Sequence, residues 1–403
     1  TSAGLAGNPT HDPKYFVEVK NRKGQTLKLC DPKITRALVA LMDMNAVMGG
    51  AASHYGGPAG FAELMSAIHG VVFTTAKEKS LPWFEKYHVI NDAGHCENGL
   101  YAVKANYQYA DMKISDLKTF RSFGSPLTGH GESHLFPQAV LLSNGPLGSS
   151  LGQAQGLSMA DAKSGKLRTT IAILSDGAAM EGEAKEALAA IPGWASKVQC
   201  APFVLVIGDN NTKLSGRIDK DSFSMGPSFA SLKALGWDII DLQDGNDLPK
   251  CLAAMEDALD RVANNPKVPV AIHARTIKGI GVKSTVQSSS GGHGFPLKSP
   301  TELPAFLSEI LAGGHLPEEL KNWMEELLAK EKESAKSKTK SAVPDDKVQV
   351  DKIQSGISAA MIKAKKMGHK VVSVTSDLAG STGVAGFKKE FPNEVWDVGV
   401  AEA

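Results

Sequence analysis

Two short motifs combine residue types that can hold a metal ion and a phosphate. Asp176-Gly177 follows one apolar run, and Asp209-Asn210-Asn211 follows the next. Asp176 offers a carboxylate, Asn210 an amide oxygen and Thr212 a main-chain carbonyl. Such hard oxygen donors suit Mg²⁺, which usually takes a few protein oxygens beside phosphate oxygens and water. Gly177 lets backbone come close to a phosphate. Either motif alone is ordinary turn chemistry, because Asp-Gly and Asn-Asn are common in turns. Their place at the ends of successive apolar runs points instead to one shared site. Ligands of open parallel sheets bind beyond the carboxyl ends of the strands.

The surrounding pattern supplies such a sheet. Residues 34–47 and 61–68 read as helices, separated by the glycine- and alanine-rich turn 49–57. A strand at 87–90 leads into Asn91-Asp92-Ala93-Gly94-His95, and a long loop at 120–145 carries His130 and His134. Short apolar runs at 169–174, 203–207 and 268–273 read as strands, with a helix from about Glu181 between the first two. Continuous apolar strands alternating with helices predict an α/β fold, a parallel sheet covered on both faces. Residues 1–315 form the expected first domain. Residues 316–348 are strongly charged and read as an exposed interdomain connection, helical over 318–332. Residues 349–403 begin a second α/β unit, with a helix at 352–366 and strands at 371–374 and 395–400.

Composition narrows the class. A chain of 403 residues suggests two or three domains. The 44 basic residues nearly balance 43 acidic ones, leaving a net charge of +1. That balance gives no reason to expect a nucleic-acid or anionic-membrane partner. Cys30, Cys96, Cys200 and Cys251 form no CxxC pair and no metal spacing, so they read as reduced thiols of a cytoplasmic protein. No apolar run approaches the ~20 residues of a membrane span. The first residues lack an apolar signal core and a Met, which reads as a processed or trimmed start.

The two motifs in this order resemble the thiamine diphosphate fingerprint, and the chain around them resembles the transketolase family. Five more segments agree in order: Ser53-His54-Tyr55-Gly56-Gly57, Ala93-Gly94-His95, Thr128-Gly129-His130-Gly131-Glu132, Gly145-Pro146-Leu147-Gly148 and His293-Gly294-Phe295-Pro296-Leu297. Ser376-Asp377-Leu378 and Gly399-Val400-Ala401-Glu402 extend the match along nearly the whole chain. Two departures stand out. Ser175 replaces the first fingerprint glycine, and the 33 positions from Gly177 to Asn210 exceed the usual spacing. The second suggests an extended loop near 192–201.

The resemblance implies a thiamine diphosphate-binding fold and a role for each matched residue. Asp176, Asn210 and the Thr212 carbonyl would hold Mg²⁺, with Ca²⁺ or Mn²⁺ as substitutes. Gly177 and His95 would contact the diphosphate, and Gly145 and Leu147 the aminopyrimidine. His293 would face both diphosphate and substrate, and His54 and His130 the sugar's carbonyl and first hydroxyls. Imidazoles suit this work because they titrate near neutral pH and donate to a developing alkoxide. Glu402 would hydrogen-bond the pyrimidine ring and activate the cofactor, which itself carries the hard chemistry. In that role it would be buried and protonated; otherwise it is an exposed glutamate. Glu181 and Glu186 would lie at the interface of a homodimer whose active site sits between subunits; as plain helix residues, their spacing puts them on different faces. Lys352 and Ser381 would bind the sugar phosphate, with Asp377 near the donor end of the site, although a lysine at 352 lacks the bidentate fork of the family's arginine. His11, His69, His88, His315 and His369 read as structural or surface residues, while His134 and His273 stay open.

The implied activity is reversible transfer of a two-carbon ketol unit from a ketose phosphate to an aldose phosphate, a step of the pentose phosphate pathway. Alternatives are 1-deoxyxylulose-5-phosphate synthase, a 2-oxo-acid dehydrogenase component, or a non-catalytic subunit of the same fold. A break inside the second unit would leave an open sheet edge. The chain is therefore expected to be a fragment, or one part of a split enzyme with a separate C-terminal piece.

Overall fold

The computed structural model describes residues 4–340 and 353–401. A five-stranded parallel sheet forms its centre, in the order β3-β4-β5-β7-β6. These strands are β3 (Tyr87–Asn91), β4 (Thr169–Ser175), β5 (Phe203–Asp209), β6 (Asp238–Leu242) and β7 (Val270–Arg275). A hairpin of β1 (Phe16–Lys20) and β2 (Thr26–Cys30) precedes it.

Alternation along the strands divides the core between the two faces. Ile171, Ile173, Val204, Val206, Val270 and Ile272 point to one side, into a cluster shared with the Gly56–Glu78 and Leu248–Asn264 helices. Ala172, Leu174, Phe203, Leu205 and Ile207 point to the other, against the Ser149–Lys163 and Gly182–Ser196 helices. Helix starts are written locally. Asp31 accepts from the Lys33 N–H at 2.8 Å ahead of the Pro32–Met48 helix, and Asp247 accepts from Lys250 N–H at 3.0 Å ahead of Leu248–Asn264.

Several expectations need correction. The 61–68 helix is the middle of one 23-residue helix, Gly56–Glu78. Among the described residues it is the one helix long and apolar enough to cross a membrane, yet 89% of that apolar window is buried in the fold. Half of the loop expected near 192–201 is helix, because Gly182–Ser196 runs through Pro192, and only 197–201 is irregular. A proline inside a helix costs about 3 kcal/mol. Burial of Ala184, Ala187, Leu188, Ile191 and Ala195 on the sheet offsets it. The charged stretch is not wholly exposed. It forms the Glu318–Lys340 helix, and Leu320, Trp323 and Leu327 are buried against the first-domain core.

The second unit pairs β8 (Ser373–Thr375) with β9 (Val395–Asp397) in parallel, both shorter than expected. Its small core is Ala379, Val384, Phe387 and Val395, beneath the Ile353–Lys366 and Ala385–Glu390 helices.

Candidate functional site

Neighbouring strands β4 and β5 run in register, Ser175 opposite Gly208, so their carboxyl ends deliver both motifs to one place. Ser175, in the position of the first fingerprint glycine, accepts from Ala178 N–H at 3.1 Å and steadies the turn. The Asp176 side chain is buried and gathers three backbone donors: Gly177 at 2.9 Å, Asn210 at 2.8 Å and Asn211 at 2.6 Å. These bonds favour its charge, but burial and the nearby Asp209 carboxylate outweigh them and push its pKa up to about 7. Burial also works to raise Asp209, yet His273, at 2.8 Å, and Arg275 hold it below the carboxylate range. His273 is thereby resolved as a structural partner of Asp209.

The donor set fits a hard cation. Asn210 Oδ1 is buried without a hydrogen-bond partner, beside a carboxylate that lacks a full counter-charge. Thr212 is buried and its carbonyl faces Lys278 Nζ at 3.3 Å. Among the described residues, no group of three or more His, Cys, Asp or Glu side chains is placed to hold a metal ion by itself. One carboxylate, one amide and one carbonyl match the sparse protein coordination that Mg²⁺ uses with a phosphate ligand.

The donors open on a cavity of about 300 Å³. His54, His95, His130, His293, Gly145, Leu147, Gly177 and Lys278 line it. The imidazoles form a tight group. His54 lies 5.8 Å from His95, 6.1 Å from His130 and 5.1 Å from His293, and His95 stacks on His293 at 5.2 Å. Burial, reinforced by His130, Arg121 and Lys278, lowers His54 to about 4. Burial and neighbouring cations likewise lower His95, His130 and His293. All four are neutral at pH 7, each able to donate and accept one hydrogen bond.

Lys278 is the main residue that the sequence reading missed. It is buried, its Nζ lies 2.9 Å from His293 Nδ1, and burial brings it down to about 8. Its signal was positional, since it lies just beyond the end of a third strand, β7. Second-layer residues were also missed. Asn98 donates to the His54 carbonyl at 2.7 Å and to Asp43 at 3.0 Å, and Asp43 in turn accepts from Ser53. Asp92 accepts from Gly148 N–H at 2.6 Å and Leu151 N–H at 2.7 Å, fixing the loop that carries Gly145 and Leu147.

Other sequence candidates are scattered. Glu181 is buried beneath that loop, where a Cβ on Gly148 would come within 2.6 Å of its own Cβ, whereas Glu186 is exposed on the helix outside the cavity. Asp377 lines the cavity, but its carboxylate is taken up by Lys213 at 2.6 Å, Leu214 N–H at 2.7 Å and Ser215. Ser381 is exposed, donates to the Leu378 carbonyl at 3.2 Å and is not among the lining residues. His134 is also exposed, near Glu132. Lys352 and Glu402 lie outside the described residues. Val400 lines the cavity.

A parallel α/β sheet whose adjacent strand ends offer a carboxylate–amide grip above a histidine-lined cavity defines a diphosphate-cofactor domain. Residues 32–343 match the family described as "Transketolase, thiamine diphosphate binding domain". The chain belongs to the transketolase family. It is 30% identical over 269 residues to a transketolase of Streptococcus pyogenes, which covers 64% of this chain and 35% of that protein. It is 28% identical over 272 residues to a Bacillus subtilis transketolase, with 65% and 38% covered. Its fold is similar to a Pichia stipitis transketolase in complex with sedoheptulose 7-phosphate, at 20% identity and a TM-score of 0.54, covering 92% of this chain and 60% of that one. A Leishmania mexicana transketolase matches with 20% identity and a TM-score of 0.55, covering 92% and 61%. The chain thus spans little more than a third of the length of these curated relatives.

Proposed function

We propose that this chain is the cofactor-gripping part of a transketolase. In this reading Asp176, Asn210 and the Thr212 carbonyl hold Mg²⁺, and thiamine diphosphate supplies the carbanion chemistry when bound. The observation that carries the proposal is the single cavity in which this donor set meets four neutral imidazoles and a buried lysine.

The protein groups then have separable tasks. Lys278 offsets the diphosphate charge, and Gly177 admits its oxygens close to backbone. His54, His130 and His293 offer neutral N–H groups to the sugar's carbonyl and hydroxyls, and can pass a proton without first losing one. Their cage of half-buried side chains restricts water around the reacting carbonyl. Gly145 and Leu147 support the aminopyrimidine, and Glu402 is assigned to its ring nitrogen.

The reaction proposed is two-carbon ketol transfer from a ketose phosphate to an aldose phosphate, in the pentose phosphate pathway of the cytoplasm. The proposed assembly is a homodimer with Glu181 and Glu186 near the interface, completed by a further C-terminal segment, separate or continuous. The test is ketol transfer from xylulose 5-phosphate to ribose 5-phosphate, compared with pyruvate decarboxylation, by the chain alone and by the chain with the remaining transketolase domains. Transfer that needs Mg²⁺ and thiamine diphosphate supports the proposal. Decarboxylation without transfer overturns it.

A further inference from the structure

We propose that Glu97 is a positioning residue for the imidazole cage, which sets the His130 loop and the adjoining cavity wall through the amide of Asn144. Glu97 opens the Glu97–Asn106 helix, just after His95 and Cys96, and is 2% exposed. Its Oε2 accepts from Asn91 Nδ2 and from Asn144 Nδ2, each at 2.9 Å. Asn91 ends β3, and Asn144 directly precedes Gly145. One buried carboxylate oxygen therefore joins a strand end of the central sheet to the loop.

The chemistry of the acceptor gives these bonds a direction. An ionised carboxylate only accepts hydrogen bonds, so both asparagines turn their NH₂ groups toward it. Asn144 is left with its oxygen on the other side, where it accepts from Gly131 N–H at 2.7 Å. The Asn144 N–H returns a bond to the Gly131 carbonyl at 3.1 Å. Gly131 directly follows His130, so this reciprocal pair pins the backbone that carries the imidazole. Space is equally tight. A Cβ on Gly131 would lie 3.0 Å from Glu97 Cδ, and one on Gly94 would strike the Asn144 carbonyl and come within 2.9 Å of His130 Cδ2. Asn144 lines a small inner cavity of about 40 Å³ with Asn91, Glu97 and Lys104, whereas Gly145, the next residue, lines the cofactor cavity. Glu97 thus braces from behind the wall whose front meets the ligand.

Lys104 supplies the counter-charge. It is buried two turns along the same helix, with Nζ 3.5 Å from Glu97 Oε1 and 2.7 Å from the Ala139 carbonyl. Glutamine at 97 cannot serve beside that ammonium. With its oxygen toward the two asparagines, its NH₂ opposes Lys104. Turned round, it faces their NH₂ groups and drives the Asn144 oxygen away from Gly131. It also leaves Lys104 as a buried charge without its partner, which is strongly unfavourable. Replacing both charges removes the conflict, because Glu97→Gln/Lys104→Met keeps an acceptor for the two amides and no buried ammonium.

The effect on ligand rests on the thiamine diphosphate reading; the placing of His130 does not. The test therefore has a ligand-free arm, NMR of the full chain without metal or cofactor. In Glu97→Gln the Gly131 and Asn144 amides should exchange about tenfold faster and the His130 ring resonances should move, while β4 and β5 keep their protection. The neutral pair Glu97→Gln/Lys104→Met should restore both. In an Asn144→Ala background, Glu97→Gln should move the His130 ring no further, because the link is already cut. Should Glu97→Gln fail to fold, the neutral pair should keep the parent's His130 resonances and Asn144→Ala should move them. A second arm titrates Mg²⁺ and thiamine diphosphate by calorimetry, where Kd should rise about tenfold in Glu97→Gln and return in the neutral pair. Unmoved His130 resonances in Glu97→Gln or Asn144→Ala overturn the proposal. So does loosening shared equally by β4 and β5, a change that the neutral pair leaves in place, or an unchanged Kd where the parent binds. If exchange and ring spectra behave as expected but the parent binds no thiamine diphosphate, the positioning role stands and the cofactor reading fails.

Discussion

Asp176→Asn tests whether the metal-site carboxylate is as desolvated as the geometry indicates. Burial and Asp209 raise its pKa from 3.8 to about 7 in the folded chain without metal. A raised carboxylate stabilises the fold most when protonated. That contribution is complete below pH 3.8 and is lost as pH climbs through about 7. Proton linkage between those two values removes about 2 kcal/mol between pH 5.5 and pH 8. Asparagine keeps the shape but cannot ionise, so the variant lacks this dependence. The assay is denaturant unfolding of parent and variant in chelator at both pH values. The stability difference, parent minus variant, should fall by about 2 kcal/mol from pH 5.5 to pH 8. Titrating groups that do not interact with Asp176 are common to both chains and cancel. A difference that stays constant with pH would refute the reasoning.

Three further outcomes follow from named contacts. The His54 ring should titrate near pH 4 by imidazole NMR, because burial dominates its environment, and Lys278→Met should raise the midpoint of His293, whose second-largest influence is that lysine; a His54 midpoint near 6.5 would contradict the cage. Gly57→Ala would place a Cβ 2.7 Å from His95 Nε2 and 2.8 Å from Cys96 Sγ. Overpacking of this kind costs about 1–3 kcal/mol, and displacement of His95 should weaken thiamine diphosphate binding at least tenfold in calorimetry, whereas unchanged affinity would remove His95 from the diphosphate contact. Trp323→Ala should destabilise the first domain by about 3–5 kcal/mol in denaturant unfolding, since Trp323 is 1% exposed; a loss below about 1 kcal/mol would mean that the charged helix is only loosely docked.

The parts legible in the sequence were those with local signatures. Apolar runs such as Thr169–Ser175 and Phe203–Asp209 need burial on both faces, so their pattern announces a parallel sheet. The histidine motifs were legible through resemblance, because their small neighbours are required by close approach, as between Gly57 and His95. The edge strand Asp238–Leu242 was not read, since it is half-exposed and carries two aspartates. Helix Glu318–Lys340 hid its contacts in a charged sequence, where three apolar residues suffice to dock it. Lys278 could not be ranked from sequence. Its importance comes from the carbonyls and imidazoles that tertiary contact brings to it, and no spacing rule encodes a partner 66 residues away.

The most direct test of the account is calorimetric titration of this chain with thiamine diphosphate, with and without Mg²⁺. The account predicts saturable binding that requires the divalent ion and disappears in Asp176→Ala. Binding of equal strength in Asp176→Ala, or binding indifferent to Mg²⁺, would contradict it.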